Sequence, residues 1–174
     1  WQRPADPHNH MFDGLGRVWM TTKVRGDILP EWCQEGSDNK FAQYYPTRRS
    51  TRQASYYDPA TEEFGLIDTC FGTHHLQFGF TDDRMLYFSG GGDVIGWINT
   101  RIWDETQDEK LSQGWCPMVV DTNGDGVITK PWNQPVGALR SQNEGGGGGS
   151  LIDFDPNLDT RMSPGSYGII VDPV

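Results

Sequence analysis

No run of apolar residues in this chain approaches the eighteen or so that a membrane-spanning helix needs, so no membrane span is expected. Cysteine is scarce. The three present, Cys33, Cys70 and Cys116, form no CxxC pair and show no Cys/His spacing of a structural zinc site. Basic residues number 14 against 24 acidic ones, and the net charge of −10 works against gripping a phosphate backbone, so no nucleic-acid partner is expected. The one basic knot, Arg48, Arg49 and Arg52, reads as a solvated loop. Hydrophobic residues make up only 35%, while 22 glycines and 11 prolines punctuate the chain. That balance favours many short strands and turns over a helical bundle. The opening Trp1-Gln2-Arg3-Pro4 has no methionine and no charged-then-apolar leader, and reads as a processed or excised beginning.

What is present is organised around residues 72 to 99, GTHHLQFGFTDDRMLYFSGGGDVIGWIN. A histidine pair, His74-His75, leads into an apolar run from Leu76 to Phe80. Thr81-Asp82-Asp83-Arg84 then suits a tight turn, and Met85 to Phe88 reads as the returning strand. Gly90-Gly91-Gly92 interrupts it before Val94 to Ile98 begins another. The same order occurs near the amino end, in PHNHMFDGLGRVWMT: histidines, an apolar run, an Asp/Gly turn and a second apolar run. Trp19 and Tyr87, in the second runs, stand 68 positions apart. A weaker third copy begins at Gly165-Ser166-Tyr167 and ends at Asp172-Pro173.

Repeats of several strands in a fixed order point to a radial array, and the expected fold is all-β: antiparallel four-stranded blades of a partial β-propeller. Residues 1–71 form a first blade with a long loop insertion from Asp27 to Arg49, and residues 72–136 a second blade with a short helical insertion. Residues 137–154 are a flexible Gly-rich linker or insertion, and 155–174 begin a third blade. Gln53 to Tyr57 and Phe64 to Asp68 make a hairpin around Asp58-Pro59-Ala60-Thr61 that completes the first unit. Thr100 to Leu111, free of Gly and Pro, is the one expected helix, capped by Asn99 or Thr100. Pro117 to Val120 and Val127 to Thr129 are the expected closing strands of the second unit. The run Glu144 to Ser150, EGGGGGS, has linker composition, whether as an engineered splice or a natural low-complexity insertion.

All four histidines of the chain, His8, His10, His74 and His75, open the first strands of their units. Inner-strand ends of a propeller converge on a central channel, and neutral imidazole is the commonest transition-metal ligand. Together the four are candidate ligands for a divalent transition metal such as Zn, Cu or Fe. Hydrogen bonding to neighbouring loops accounts for the same placement. Asp121-Thr122-Asn123-Gly124-Asp125-Gly126 matches the front half of a calcium loop, with Asp121, Asn123 and Asp125 as side-chain ligands. The Glu that such a loop carries six residues after its glycine is replaced by Trp132. A metal-free Asp/Asn/Gly hairpin turn explains those residues equally.

Cys33 lies in the first insertion and Cys70 at a repeat boundary, so a Cys33–Cys70 disulfide is the preferred pairing, with Cys116 a buried free thiol. That bond implies an oxidising, secreted or periplasmic setting. Trp1, Trp32, Tyr44, Tyr45, Trp103, Trp115 and Trp132 fall in expected loops, where stacking on a carbohydrate or peptide would use them.

The runs PHNHMFDGLGRVWMTT, YYDPATEEFGLIDTCFGTHHLQF, LYFSGGGDVIGWIN and DPNLDTR…GSYGIIVDPV resemble a family of large secreted bacterial β-propeller proteins, carboxypeptidase-regulatory-like or virginiamycin B lyase-like. The resemblance spans most of residues 7 to 136 and 155 to 174, and DTCFGTHHLQF is its most specific part. It implies a six- or seven-bladed ring of which this chain holds two blades and the start of a third. No catalytic residue carries over from it. Two functions follow as expectations: a metal-dependent propeller enzyme acting on a small organic substrate, or a secreted scaffold binding protein or carbohydrate. In either, another chain could complete the ring.

Overall fold

The structure, a computed structural model, describes residues 3–24, 26, 29–48, 50, 52–90, 94–129, 157, 159–161 and 167–173. Its centre is a pair of four-stranded antiparallel meanders. The first runs β1 (His8–Phe12), β2 (Val18–Thr22), β3 (Gln53–Asp58) and β4 (Glu63–Ile67), paired in that order. The second runs β5 (Thr73–Phe78), β6 (Met85–Gly90), β7 (Val94–Asn99) and β8 (Gln113–Pro117), again in chain order.

Short polar residues make the turns, as the sequence implies. Asp13 Oδ1 accepts hydrogen bonds from the Leu15 and Arg17 amides, both at 2.9 Å, and the chain reverses through Gly16 at φ 85°. Asp58 Oδ1 takes the Ala60 amide at 2.9 Å in the β3–β4 turn. Arg84, at φ 54°, closes the β5–β6 turn. In each case a side-chain acceptor holds main-chain donors that a tight reversal leaves unpaired.

The sheets share one core. Trp19 of β2 meets the edge of Phe78 of β5 at 6.3 Å, while Ile67, Leu76, Leu86, Phe88, Ile98 and Trp115 are buried around them. Each such side chain contributes roughly 1.5–3 kcal/mol by leaving water. Phe71, in the link between the sheets, lies flat against β7. A Cβ at Gly96 would stand 2.2 Å from its ring, so only glycine fits there.

β1 and β5 lie side by side without a shared backbone ladder. Side chains serve instead: the Leu76 amide donates to Asn9 Oδ1 at 2.6 Å and the Phe78 amide to Met11 Sδ at 3.3 Å. The edge of β5 is thereby satisfied without strand addition.

Several expectations need correction. The Asp27–Arg49 insertion is not structureless. It holds a 3-10 turn at Glu31–Cys33 and helix α1 (Lys40–Tyr44), whose first turn is capped by Asn39 Oδ1 on the Phe41 amide at 2.9 Å. It also feeds Cys33, Ala42 and Tyr45 into the core. The single helix expected over Thr100–Leu111 is two, α2 (Thr100–Thr106) and α3 (Glu109–Ser112). Gln107 breaks it at φ 53°, and Asp108 then caps α3. The Asn99 cap is as expected, with Oδ1 accepting from the Arg101 and Ile102 amides.

The fourth strand of the second sheet is Gln113–Pro117 rather than Val127–Thr129. Val119–Val120 forms β9, which pairs with β10 (Thr160–Arg161) in a separate two-stranded ladder. Residues 167–173, within the expected third unit, form no strand. The Gly-rich run 144–150 lies outside the described residues. Among the described residues no helix is long and apolar enough to cross a membrane.

Candidate metal centre

Two β-bulges aim the histidines. The β1–β2 register shifts between His8 and His10, leaving Asn9 as the extra residue at φ 47°. The β5–β6 register shifts between Thr73 and His75, leaving His74 as the extra residue. Such bulges bend a strand and redirect its side chains, a common device beside functional sites. The backbones are tied together locally by Thr21, whose Oγ1 lies 2.9 Å from His8 O and 3.1 Å from His74 O.

The outcome is a cluster of three imidazoles drawn from both sheets. One ligand nitrogen from each of His8, His74 and His75 lies within 4.8 Å of the others. His8 Nε2 is 3.2 Å from His75 Nε2. The His8 and His74 rings stack at 4.2 Å with 15° between their planes. Near-parallel rings project their lone pairs in parallel, so ligation by all three requires His74 to turn out of the stack. His10 is not part of the cluster. The bulge at Asn9 separates it from His8, and it is exposed.

Tyr167 closes one side, edge-on to His75 at 4.6 Å and to His74 at 5.0 Å. Its carbonyl oxygen lies 2.5 Å from His75 Nδ1. A carbonyl only accepts, so Nδ1 carries the proton and Nε2 faces His8 as a lone pair. Main-chain anchoring of the second nitrogen is how ligating histidines are usually held. The His74 pKa is lowered by burial first, and then by the neighbouring His8, His75 and Arg52, against a hydrogen bond to the Tyr167 main-chain carbonyl that raises it. A neutral imidazole is the form that binds a metal.

Arg52 is not a solvated loop residue. Its side chain is largely buried and bonds Asp6, with Nη2 at 2.8 Å from Asp6 Oδ2 and Nη1 on the Asp6 carbonyl. No family model, curated protein or solved structure matches the chain.

The cysteines pair as expected, Cys33 with Cys70, across a sequence separation of 37. Cys116 is free but exposed, not buried, because it points to the outer face of β8 between inward-facing Trp115 and Pro117. Of the five described aromatics assigned to surface loops, three are core and Trp32 is half-buried. Trp115 sits on β8 and donates Nε1–H to Tyr45 O at 2.8 Å, and Trp103 and Tyr45 are also buried. Of that set Tyr44 is exposed, while Trp1 and Trp132 lie outside the described residues.

The Asp121–Gly126 turn is a chain of side-chain caps. Asp121 accepts the Gly124 and Gly126 amides at 2.7 and 2.8 Å, Asn123 the Asp125 amide at 3.1 Å, and Asp125 the Val127 amide at 2.8 Å.

A cleft of about 680 Å³ opens beside Arg17, Tyr56, Trp103 and Asp104. Its guanidinium is already committed to Asp13 at 2.7 Å and Asp104 at 2.6 Å. The buried Arg17–Asp13–Trp19 group was not singled out from sequence. The Asp13–Arg17 spacing around a glycine turn was its only signal.

Proposed function

We propose that the chain is the two-blade portion of a secreted β-propeller that holds a divalent transition metal on His8, His74 and His75 and acts on a small organic substrate. The observation that carries this reading is the convergence of three imidazoles from two separate sheets within 4.8 Å. Two consecutive four-stranded meanders with their first strands side by side are what adjacent blades require, and the resemblance to secreted bacterial propellers points the same way. The Cys33–Cys70 disulfide fits an oxidising compartment.

Zinc, copper and iron all accept imidazole. Three protein ligands leave a coordination position for water or substrate, where the metal can activate one or polarise the other. His75 needs no rearrangement to ligate, because Tyr167 holds its Nδ1 proton and presents Nε2. The scaffold alternative rested on exposed aromatics, and most of those described are buried.

The test is metal content of the purified chain against His74→Ala, His8→Ala and His10→Ala. Near-stoichiometric zinc, copper or iron is expected in the parent and in His10→Ala, with loss in the other two. Less than about a tenth of an equivalent in the parent, or unchanged content in both cluster variants, overturns the metal reading. The scaffold function then stands ahead.

A further inference from the structure

β9 and β10 bring the chain leading into the Asp121 loop beside the chain leaving Asp159. Their register is Val120 opposite Thr160 and Val119 opposite Arg161. Asp121 and Asp159 follow at the same end of that ladder, just beyond its last pair. Asp159 is only 5% exposed. Its Oδ2 accepts the Thr129 amide and lies 3.2 Å from Thr129 Oγ1, which fixes the carboxylate against the end of the Asp121 loop. Its Oδ1 is buried with no hydrogen-bond partner. An unpaired buried carboxylate oxygen is costly and calls for a water or an ion. The hairpin-turn account of Asp121, Asn123 and Asp125 explains the loop's internal hydrogen bonds but not this oxygen.

We propose that Asp121, Asn123, Asp125 and Asp159 bind one calcium ion, with Asp159 supplying the carboxylate that the loop lacks at Trp132. The segment before Asp159 is already tied to the loop, since Asn123 Nδ2 donates to Asn157 O at 3.3 Å. The donors are all oxygens, three of them acidic, which suits calcium. Magnesium demands a tighter octahedron, and the softer transition metals prefer nitrogen or sulfur. Among the described residues only the imidazole trio has its ligand atoms within 4.8 Å of one another; the proposed calcium ligands must close on the ion to coordinate it. A 2+ charge would then compensate the buried Asp159 carboxylate. This site is independent of the imidazoles.

The experiment is calorimetric titration of the whole chain, stripped with chelator, using calcium chloride alone. One calcium per chain is expected, with a thermal midpoint that rises on binding. Asp159→Asn should weaken binding at least about tenfold, because carboxylate count tunes affinity in such sites. Asp125→Asn should do the same, and this residue is exposed, so the substitution does not threaten folding. His74→Ala should bind calcium as the parent does. The proposal is overturned if the parent shows no binding up to about 10 mM calcium, if both Asp variants bind like the parent, or if His74→Ala abolishes binding.

Discussion

Asp13 shows how one carboxylate can organise a hairpin. It takes the Leu15 and Arg17 amides on Oδ1, and the Arg17 guanidinium at 2.7 Å and the Trp19 indole N–H at 2.9 Å on Oδ2. The Arg17 guanidinium also lies 5.3 Å from the Trp19 ring centroid and 5.0 Å from that of Tyr56, favourable cation–π placements. Burial works to raise the Asp13 pKa, but the hydrogen bonds from Trp19 and Arg17, with the Arg17 charge, outweigh it and hold the group below the ordinary range of an aspartate. A carboxyl whose folded pKa is depressed stabilises the fold above its ordinary pKa, and that contribution disappears as pH falls through the lower folded value. Asp13→Asn should therefore cost about 3 kcal/mol at neutral pH, since it leaves part of a buried cation uncompensated. Denaturant melts between pH 7 and pH 2.5 check both claims. The parent should lose more stability than the variant below pH 4, and equal losses would contradict the assignment.

At the scale of elements, the helix over 100–112 shows local chemistry overriding composition. Nothing in its residues forbids a continuous helix, yet Gln107 takes the left-handed conformation, its side chain bonds Trp103 O at 2.9 Å, and Asp108 caps a new turn on the Leu111 amide. The Cys33–Cys70 bond acts on the other insertion, tying the 3-10 turn to the link between the two sheets. Closing a loop of that span constrains the unfolded chain by about 3–4 kcal/mol in the chain-entropy model. Reduction should lower the unfolding free energy by roughly that amount, read from denaturant melts with and without reductant. Non-reducing peptide mapping should leave Cys116 alone open to alkylation. Alkylation of Cys70 without reduction would remove the bond from the account.

For the whole molecule, β4 and β8 are the outer strands of their sheets, and neither pairs with another described strand. β4 also presents Phe64 at 44% and Leu66 at 36% exposure. Unpaired edges with apolar side chains invite pairing with other chains. We expect the isolated chain to associate, and light scattering coupled to size exclusion to report more than one copy per particle. A concentration-independent compact monomer would count against an open array of blades.

Seven of the eight strands of the two meanders were legible, because alternating apolar runs broken by Asp, Gly and Pro are local signals, and a strand's period and its turn chemistry both lie within about ten residues. β8 was not, since Gln113–Pro117 was read as part of an insertion. The disulfide was legible from which cysteines flank a repeat boundary. What sequence could not supply was set by contacts between distant segments. Neither bulge leaves a mark in composition, yet the one at Asn9 separates His10 from the cluster and the one at His74 lets three imidazoles meet. The pairing of β9 with β10 joins residues some forty positions apart, and together with the Thr129–Asp159 and Asn123–Asn157 hydrogen bonds it brings Asp159 near the Asp121 loop. Trp103 and Trp115 looked like loop aromatics until the sheets packed over them, because burial depends on which surfaces face each other. The sequence by itself determined which residue types were available for chemistry. Tertiary structure decided which of them meet, since loop closure and side-chain direction are settled only when both sheets are in place.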